Sequence, residues 1–155
     1  MKFRVIVVGK PRAQMLEAAI QEYETRAARY WPLEIREVRE EPARGATADI
    51  VREREGERLL AAAGAGALLV ACEDAGDLRT SPELASWMSA ERERATRDVA
   101  FVIGGAYGLS PALRAQAAKR LSFSRFTLSH ELARLVLAEQ LYRAGTIVRG
   151  EPYHK

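Results

Sequence analysis

The stretch Phe101-Val-Ile-Gly-Gly-Ala-Tyr-Gly-Leu-Ser-Pro111 limits the fold more than any other part of the chain. The run Val99 to Ile103 is uninterruptedly apolar and short, as a buried strand is. It stops at Gly104-Gly105, with Gly108 following. Ser110 is a good N-cap, and Pro111 fits the first helical turn, where its missing N–H costs nothing. A strand, a glycine turn and a helix in that order build an α/β unit, and open α/β sheets bind ligands at the carboxyl ends of their strands. Glycines without a Cβ let the backbone press close to a ligand, but they also serve a plain βα turn; the stretch alone leaves both readings open. The spacing is not G-x-G-x-x-G and no Gly-Lys-Ser/Thr follows, so neither the dinucleotide fingerprint nor the P-loop is indicated.

The same alternation runs through the chain. Phe3 to Val8 reads as a strand, and Leu16, Ala19, Ile20 and Tyr23 follow at helical spacing until Trp31-Pro32. Leu33, Ile35 and Val38 among charges read as an edge strand, and Glu40 to Thr47 as a polar loop. Ala48 to Ala63 is an Arg- and Glu-rich helix whose charges read as a solvated face, with Glu55 and Arg58 its best-matched pair. Ala67 to Cys72 is a second buried strand, and Glu73 to Arg79 is expected to be its outgoing loop. Ser81-Pro82-Glu83 opens a helix with Leu84, Trp87 and Met88 inward. A helix is expected from Pro111 to about Arg120, then a strand from Leu121 that breaks into a ligand-lining loop by Leu128. Ser129 caps a last helix, which Gly145 is expected to end, leaving Ile147 to Lys155 as an extended tail. Strands alternating with helices predict one domain over residues 1–155: an open, mostly parallel sheet with helices on both faces.

A chain of 155 residues can bury roughly 70% of its unfolded surface and needs no staple. The single cysteine, Cys72, excludes an internal disulfide and fits a reducing cytoplasm. No apolar run reaches the about 20 residues of a membrane span, so no membrane partner is expected. Residues 1–111 hold 16 Lys and Arg against 18 Asp and Glu, whereas residues 112–155 hold 8 against 3. A basic end beside a neutral body fits a local anionic partner such as RNA, or scattered solubilising arginines. Of the two histidines, His130 falls in the first turn of the last helix, where the helix dipole disfavours an imidazolium, and His154 is penultimate. Two histidines and one cysteine far apart lack metal-ligand spacing, so no metal is expected.

Four segments in order then carry a resemblance over essentially the whole chain. They are Phe101-Val-Ile-Gly-Gly with Gly108-Leu-Ser110, Leu121-Ser-Phe-Ser with Thr127-Leu-Ser-His130, Glu139-Gln-Leu-Tyr-Arg143, and Arg149-Gly-Glu-Pro-Tyr-His-Lys155. The chain resembles the RlmH family, SPOUT-class methyltransferases acting on pseudouridine in large-subunit ribosomal RNA. The resemblance implies an α/β fold with a C-terminal trefoil knot, a homodimer, and S-adenosylmethionine held in the knot. It places the cofactor on Cys72, on Gly104 and Gly105, and on Phe123, Ser124, Arg125, Phe126, Thr127 and Leu128. It implies methyl transfer to N3 of a pseudouridine in 23S ribosomal RNA, on the ribosome. His130 and His154 are the candidate bases, the second reaching in from the partner subunit. Arg143 and Arg149 are candidates for phosphate or carbonyl contacts, and Tyr153 for stacking on a base. Ser129 stands where the family commonly has proline, and Cys72 where it more often has leucine. A non-catalytic ribosome- or RNA-binding protein using the basic tail is the competing reading.

Overall fold

The computed structural model describes residues 1–155. Ten elements alternate: β1 (Phe3–Val8), α1 (Gln14–Ala27), β2 (Leu33–Val38), α2 (Ala48–Ala63), β3 (Leu68–Leu78), α3 (Ser81–Arg94), β4 (Val99–Ile103), α4 (Pro111–Gln116), β5 (Lys119–Ser122) and α5 (His130–Val148). The five strands form one sheet in the order β2-β1-β4-β3-β5, and every neighbouring pair is parallel. The period of two along β1 separates two cores. Phe3, Val5 and Val7 pack with Trp31, Met88, Leu137 and Leu141 under α1, α3 and α5, while Ile6 and Val8 pack with Leu59, Ala63 and Leu113 under α2 and α4. No helix is long and apolar enough to cross a membrane.

The helix starts follow the capping residues. Thr47, Ser110 and Ser129 each accept a hydrogen bond from the backbone N–H three residues on, and Thr80 with Glu83 completes a reciprocal capping box. Ser129 therefore performs a capping role that proline has no side-chain acceptor to perform. Trp87 is half-buried, with its ring edge-on to Phe101 at 5.9 Å.

Four boundaries differ from the sequence expectations. The first helix stops at Ala27, ahead of Trp31-Pro32. The expected loop Glu73 to Arg79 is mostly strand: β3 continues to Leu78, with an irregularity in which Leu121 pairs with both Cys72 and Asp77. The helix opened by Pro111 ends at Gln116, because Lys119 and Arg120 pair with Val70 and Ala71 as an edge strand. The last helix does not end at Gly145. A Cβ there would sit 2.4 Å from the Tyr30 ring carbon Cγ, so this glycine lets α5 close onto Tyr30. The stop is Gly150, at φ +67°, where Gly150 N–H donates to the Ile147 carbonyl and Glu151 N–H to the Thr146 carbonyl, the paired bonds of a Schellman ending.

A candidate cofactor cavity and a separate tail cluster

The carboxyl ends of β3, β4 and β5 open into a cavity of about 320 Å³. That lies within the roughly 300–1,000 Å³ of small-molecule sites. Cys72 and Ile103 form its floor. The irregularity in β3 turns Glu73 and Asp74 into one wall. The turn Gly104 to Leu109 and Arg114 of α4 form a second wall. The loop after β5, through Phe123, Ser124, Phe126, Thr127 and Leu128, forms the third, closed by His130 and Ala133 on the first turns of α5.

That third wall is stitched to the strand irregularity. Thr127 Oγ1 donates to Asp74 Oδ2 at 3.0 Å, and Ser122 Oγ donates to the Asp74 carbonyl at 3.0 Å. Arg125 does not line the cavity; its Nη1 donates to the carbonyls of Asp74 at 2.6 Å and Gly76 at 2.9 Å. Of the residues that the resemblance assigns to the cofactor, eight line the cavity and Arg125 instead braces its wall.

Both glycines of the turn are small because of the protein interior. A Cβ on Gly104 would lie 2.5 Å from Gly108 C and 2.6 Å from Gly108 O, both backbone atoms. A Cβ on Gly105 would point at Glu55 Oε2. The turn is thus folded tightly on itself and on α2, and at Gly104, Gly105 and Gly108 its main chain lines the cavity with no side chain in the way. Burial pushes the Cys72 thiol up, so this residue gives the floor a neutral, unreactive surface. Glu73 pairs with both Arg114 and Arg120. Its buried Oε2 lies 2.6 Å from Arg114 Nε without an aligned hydrogen bond, so the carboxylate is neutralised by two arginines inside the cavity wall.

These features fit S-adenosylmethionine. An apolar floor and a main-chain turn suit an adenine ring and its amide-like edges, and the exposed carboxylate of Asp74 suits a hydroxyl or ammonium donor. Although Cys72, Glu73, Asp74 and His130 all line the cavity, nowhere in the chain do three or more such side chains converge so that they could hold a metal ion.

The remaining candidates lie elsewhere. Arg143, Tyr153 and His154 do not line the cavity; they form a cluster of their own at the end of α5. Tyr153 packs on the Tyr142 ring at 4.6 Å under the Arg143 guanidinium, 4.7 Å away, and its hydroxyl donates to Glu139 at 3.0 Å. Burial, with the Tyr23 and Glu139 hydrogen bonds, pushes the Tyr153 phenol up, so it remains a donor. Arg149 lies over the Tyr30 ring at 4.5 Å, and Tyr30 donates to Glu151 at 2.5 Å. The tail is therefore docked rather than extended.

Sequence reasoning missed Glu55, Glu73, Arg114 and Glu139. The sequence pattern puts Glu55 on a solvated face with Arg58, but Arg58 turns to Glu41 and Glu55 is 4% exposed beneath the glycine turn. Burial holds its carboxyl above the usual carboxylate range. Its only sequence signal is the adjacent Gly56, which lets α2 approach Ser110.

A family profile described as "Predicted SPOUT methyltransferase" matches residues 1–154. The chain is 57% identical over 155 residues to a protein of Gemmatimonas aurantiaca named Ribosomal RNA large subunit methyltransferase H, covering 100% of both. It is 48% identical over 154 residues to a protein of the same name from a Geobacter species, covering 99% of each. Among solved structures, a probable methyltransferase from Bordetella pertussis shares the fold with a TM-score of 0.60 at 18% identity, over 93% of this chain and 96% of that one. A probable methylase family protein from Haemophilus influenzae does so with a TM-score of 0.59 at 14% identity, over 99% and 70%.

Proposed function

The chain belongs to the SPOUT methyltransferase family, and from that premise we propose that it methylates N3 of a pseudouridine in 23S ribosomal RNA, on the ribosome and as a homodimer. The observation that carries this reading is the cavity at the carboxyl ends of β3, β4 and β5, walled by the three segments that the resemblance assigns to the methyl donor. Whole-length identity of 57% to a protein named for large-subunit ribosomal RNA methylation supports the substrate class.

S-adenosylmethionine is the family's donor, and when bound it supplies an electrophilic sulfonium methyl. The protein's own work is alignment and proton removal. Holding the acceptor nitrogen in line with that methyl is worth several kcal/mol, and a positioned base about 10²–10⁴-fold. His130 is the candidate base on the cavity wall. Arg143 and His154 supply further equipment for one splayed base, a fixed cation and an imidazole, while Tyr153, expected to stack on a base, instead packs between the Tyr142 ring and the Arg143 guanidinium and holds that cation in place. They do not line their own chain's cavity, and a two-fold partner would bring them to it. Phe126, 83% exposed at the cavity mouth, and Leu132, 40% exposed on α5, give that partner apolar surface to cover. Family membership also implies the C-terminal trefoil knot, to which this chain contributes β5 laid outside β3 and α5 returning against α1 and α3.

Calorimetric titration with S-adenosylmethionine tests the reading against a bare RNA-binding role. One site per chain with micromolar or tighter affinity is expected. No uptake of the donor would leave the basic tail as an RNA-binding surface and remove the catalytic reading.

A further inference from the structure

The cluster at the end of α5 contains a hydrogen-bond chain whose polarity is fixed at one end. Glu139 Oε1 accepts from Arg143 Nε at 3.0 Å and from Arg143 Nη2 at 2.6 Å, and also from the Tyr153 hydroxyl at 3.0 Å. Glu139 Oε2 accepts from the side-chain amide of Gln140 at 2.7 Å. This grip, with the Tyr153 ring beneath, sets the plane of the guanidinium. Its remaining nitrogen, Nη1, reaches His154 Nδ1 at 3.3 Å.

A guanidinium only donates. His154 Nδ1 must therefore accept, and a neutral imidazole that accepts at Nδ1 carries its proton at Nε2. An imidazolium would set two N–H donors against each other at the Arg143 contact. The outward face of His154 is thus an N–H, with no lone pair to take a proton. The groups around it are Arg143 and Glu139 of α5, Tyr153 and Lys155 of the tail, and Tyr23 of α1 next to Tyr153.

We infer that His154 serves methyl transfer as a hydrogen-bond donor through Nε2–H rather than as the base, and that Glu139 is the positioning residue that imposes this through Arg143. The inference rests on the proposed methylation of a pseudouridine base. In that step N3 forms a bond to the methyl carbon, the carbon–sulfur bond breaks with its electron pair kept by sulfur, and the N3 proton passes to His130. As N3 loses its proton, negative charge spreads onto the two flanking carbonyl oxygens. A fixed N–H aimed at one of them stabilises that charge in the manner of an oxyanion hole. Base duty is thereby left to the histidine on the cavity wall, and the two histidines have different tasks.

Two substitutions in the full-length dimer separate donor from base. Gln places an amide N–H close to where His154 Nε2–H lies but cannot take a proton at neutral pH. With ribosomes as substrate, His154→Ala should lower kcat about 100-fold, and His154→Gln by less than about tenfold. Equal losses in the two variants would make His154 the base and overturn the inference. Nitrogen-15 spectra of the ring should show the Nε2–H tautomer in the wild type; an Nδ1–H tautomer would equally overturn it. Glu139→Gln should mix the tautomers and lower kcat about tenfold, with KM and calorimetric affinity for S-adenosylmethionine unchanged. An unchanged tautomer and kcat would remove Glu139 from the role. Arg143→Lys probes the same link if Glu139→Gln does not fold, because an ammonium cannot grip Glu139 and His154 together. Full activity after deleting Glu151 to Lys155 would instead refute the proposed site itself, whatever the tautomer.

Discussion

Replacing Gly104 with alanine should weaken S-adenosylmethionine binding through the shape of the turn alone. The added Cβ would lie 2.5 Å from Gly108 C, 2.6 Å from Gly108 O and 2.9 Å from Leu109 N, where ordinary contact begins at 3.4 Å. Something must move by about 0.9 Å, the difference between 3.4 and 2.5 Å. All three atoms are main chain, and the Gly108 N–H bond to the Gly105 carbonyl at 3.0 Å ties them to the turn. No rotamer change relieves the clash, so the wall of the cavity is displaced. Overpacking of this kind costs about 1–3 kcal/mol. If that appears in binding, Kd rises about 5- to 150-fold, at roughly 1.4 kcal/mol per decade. Calorimetry reads the affinity, and circular dichroism checks that the fold is kept. Gly105→Ala is the contrasting case, because its Cβ meets the Glu55 side chain rather than backbone. Glu55→Ala should therefore rescue Gly105→Ala but not Gly104→Ala, a coupling that a double-mutant cycle measures. Wild-type affinity in Gly104→Ala would refute the argument that this turn shapes the donor site.

Arg134, 6% exposed, holds Glu24 at 2.7 Å and Glu37 at 2.9 Å; Arg134→Met strands both carboxylates and should cost about 3–5 kcal/mol in chemical denaturation, and a loss under about 1 kcal/mol would contradict the pairing. Glu55 has its folded pKa raised by burial, so its ionised form penalises the fold at neutral pH and the penalty fades as pH falls through that pKa. Glu55→Gln should accordingly raise the thermal midpoint at pH 7 and lose that advantage near about pH 4, the unfolded value, whereas a pH-independent difference would argue against a buried carboxylate. Deleting Glu151 to Lys155 should keep donor affinity and abolish methyl transfer, and mixing that chain with the Gly104→Ala chain should restore part of the activity in heterodimers. No restoration on mixing would place tail and cavity in one subunit.

The strand, turn and helix around Phe101 to Pro111 were legible because burial on both faces demands an apolar run and because Ser110 and Pro111 are local signals. The edge position of β2 was legible for the opposite local reason, the charges set among Leu33, Ile35 and Val38. The features hidden from the sequence are those in which a distant partner decides. Glu73 and Asp74 look like loop residues, yet they lie within a strand that buckles to put them on the cavity wall. Lys119 and Arg120 look helical and charged, and become an edge strand because β3 offers a free side and Glu73 a countercharge for Arg120. Gly145 carries the mark of a helix stop, but Tyr30, far away in sequence, needs the space; Gly150, followed by Pro152, was the better stop signal. The cavity residues were named through family resemblance rather than spacing. The docking of the tail on Glu139, 14 residues before Tyr153, has no local pattern at all.

The most direct test is mass spectrometry of nucleosides from 23S ribosomal RNA of cells with and without the gene for this chain. The account predicts one N3-methylpseudouridine present with the gene, absent without it, and restored when purified protein and S-adenosylmethionine are added to ribosomes from the deficient cells. An unchanged N3-methylpseudouridine content, or a methyl group missing instead from a ribose or from a different base, would contradict it.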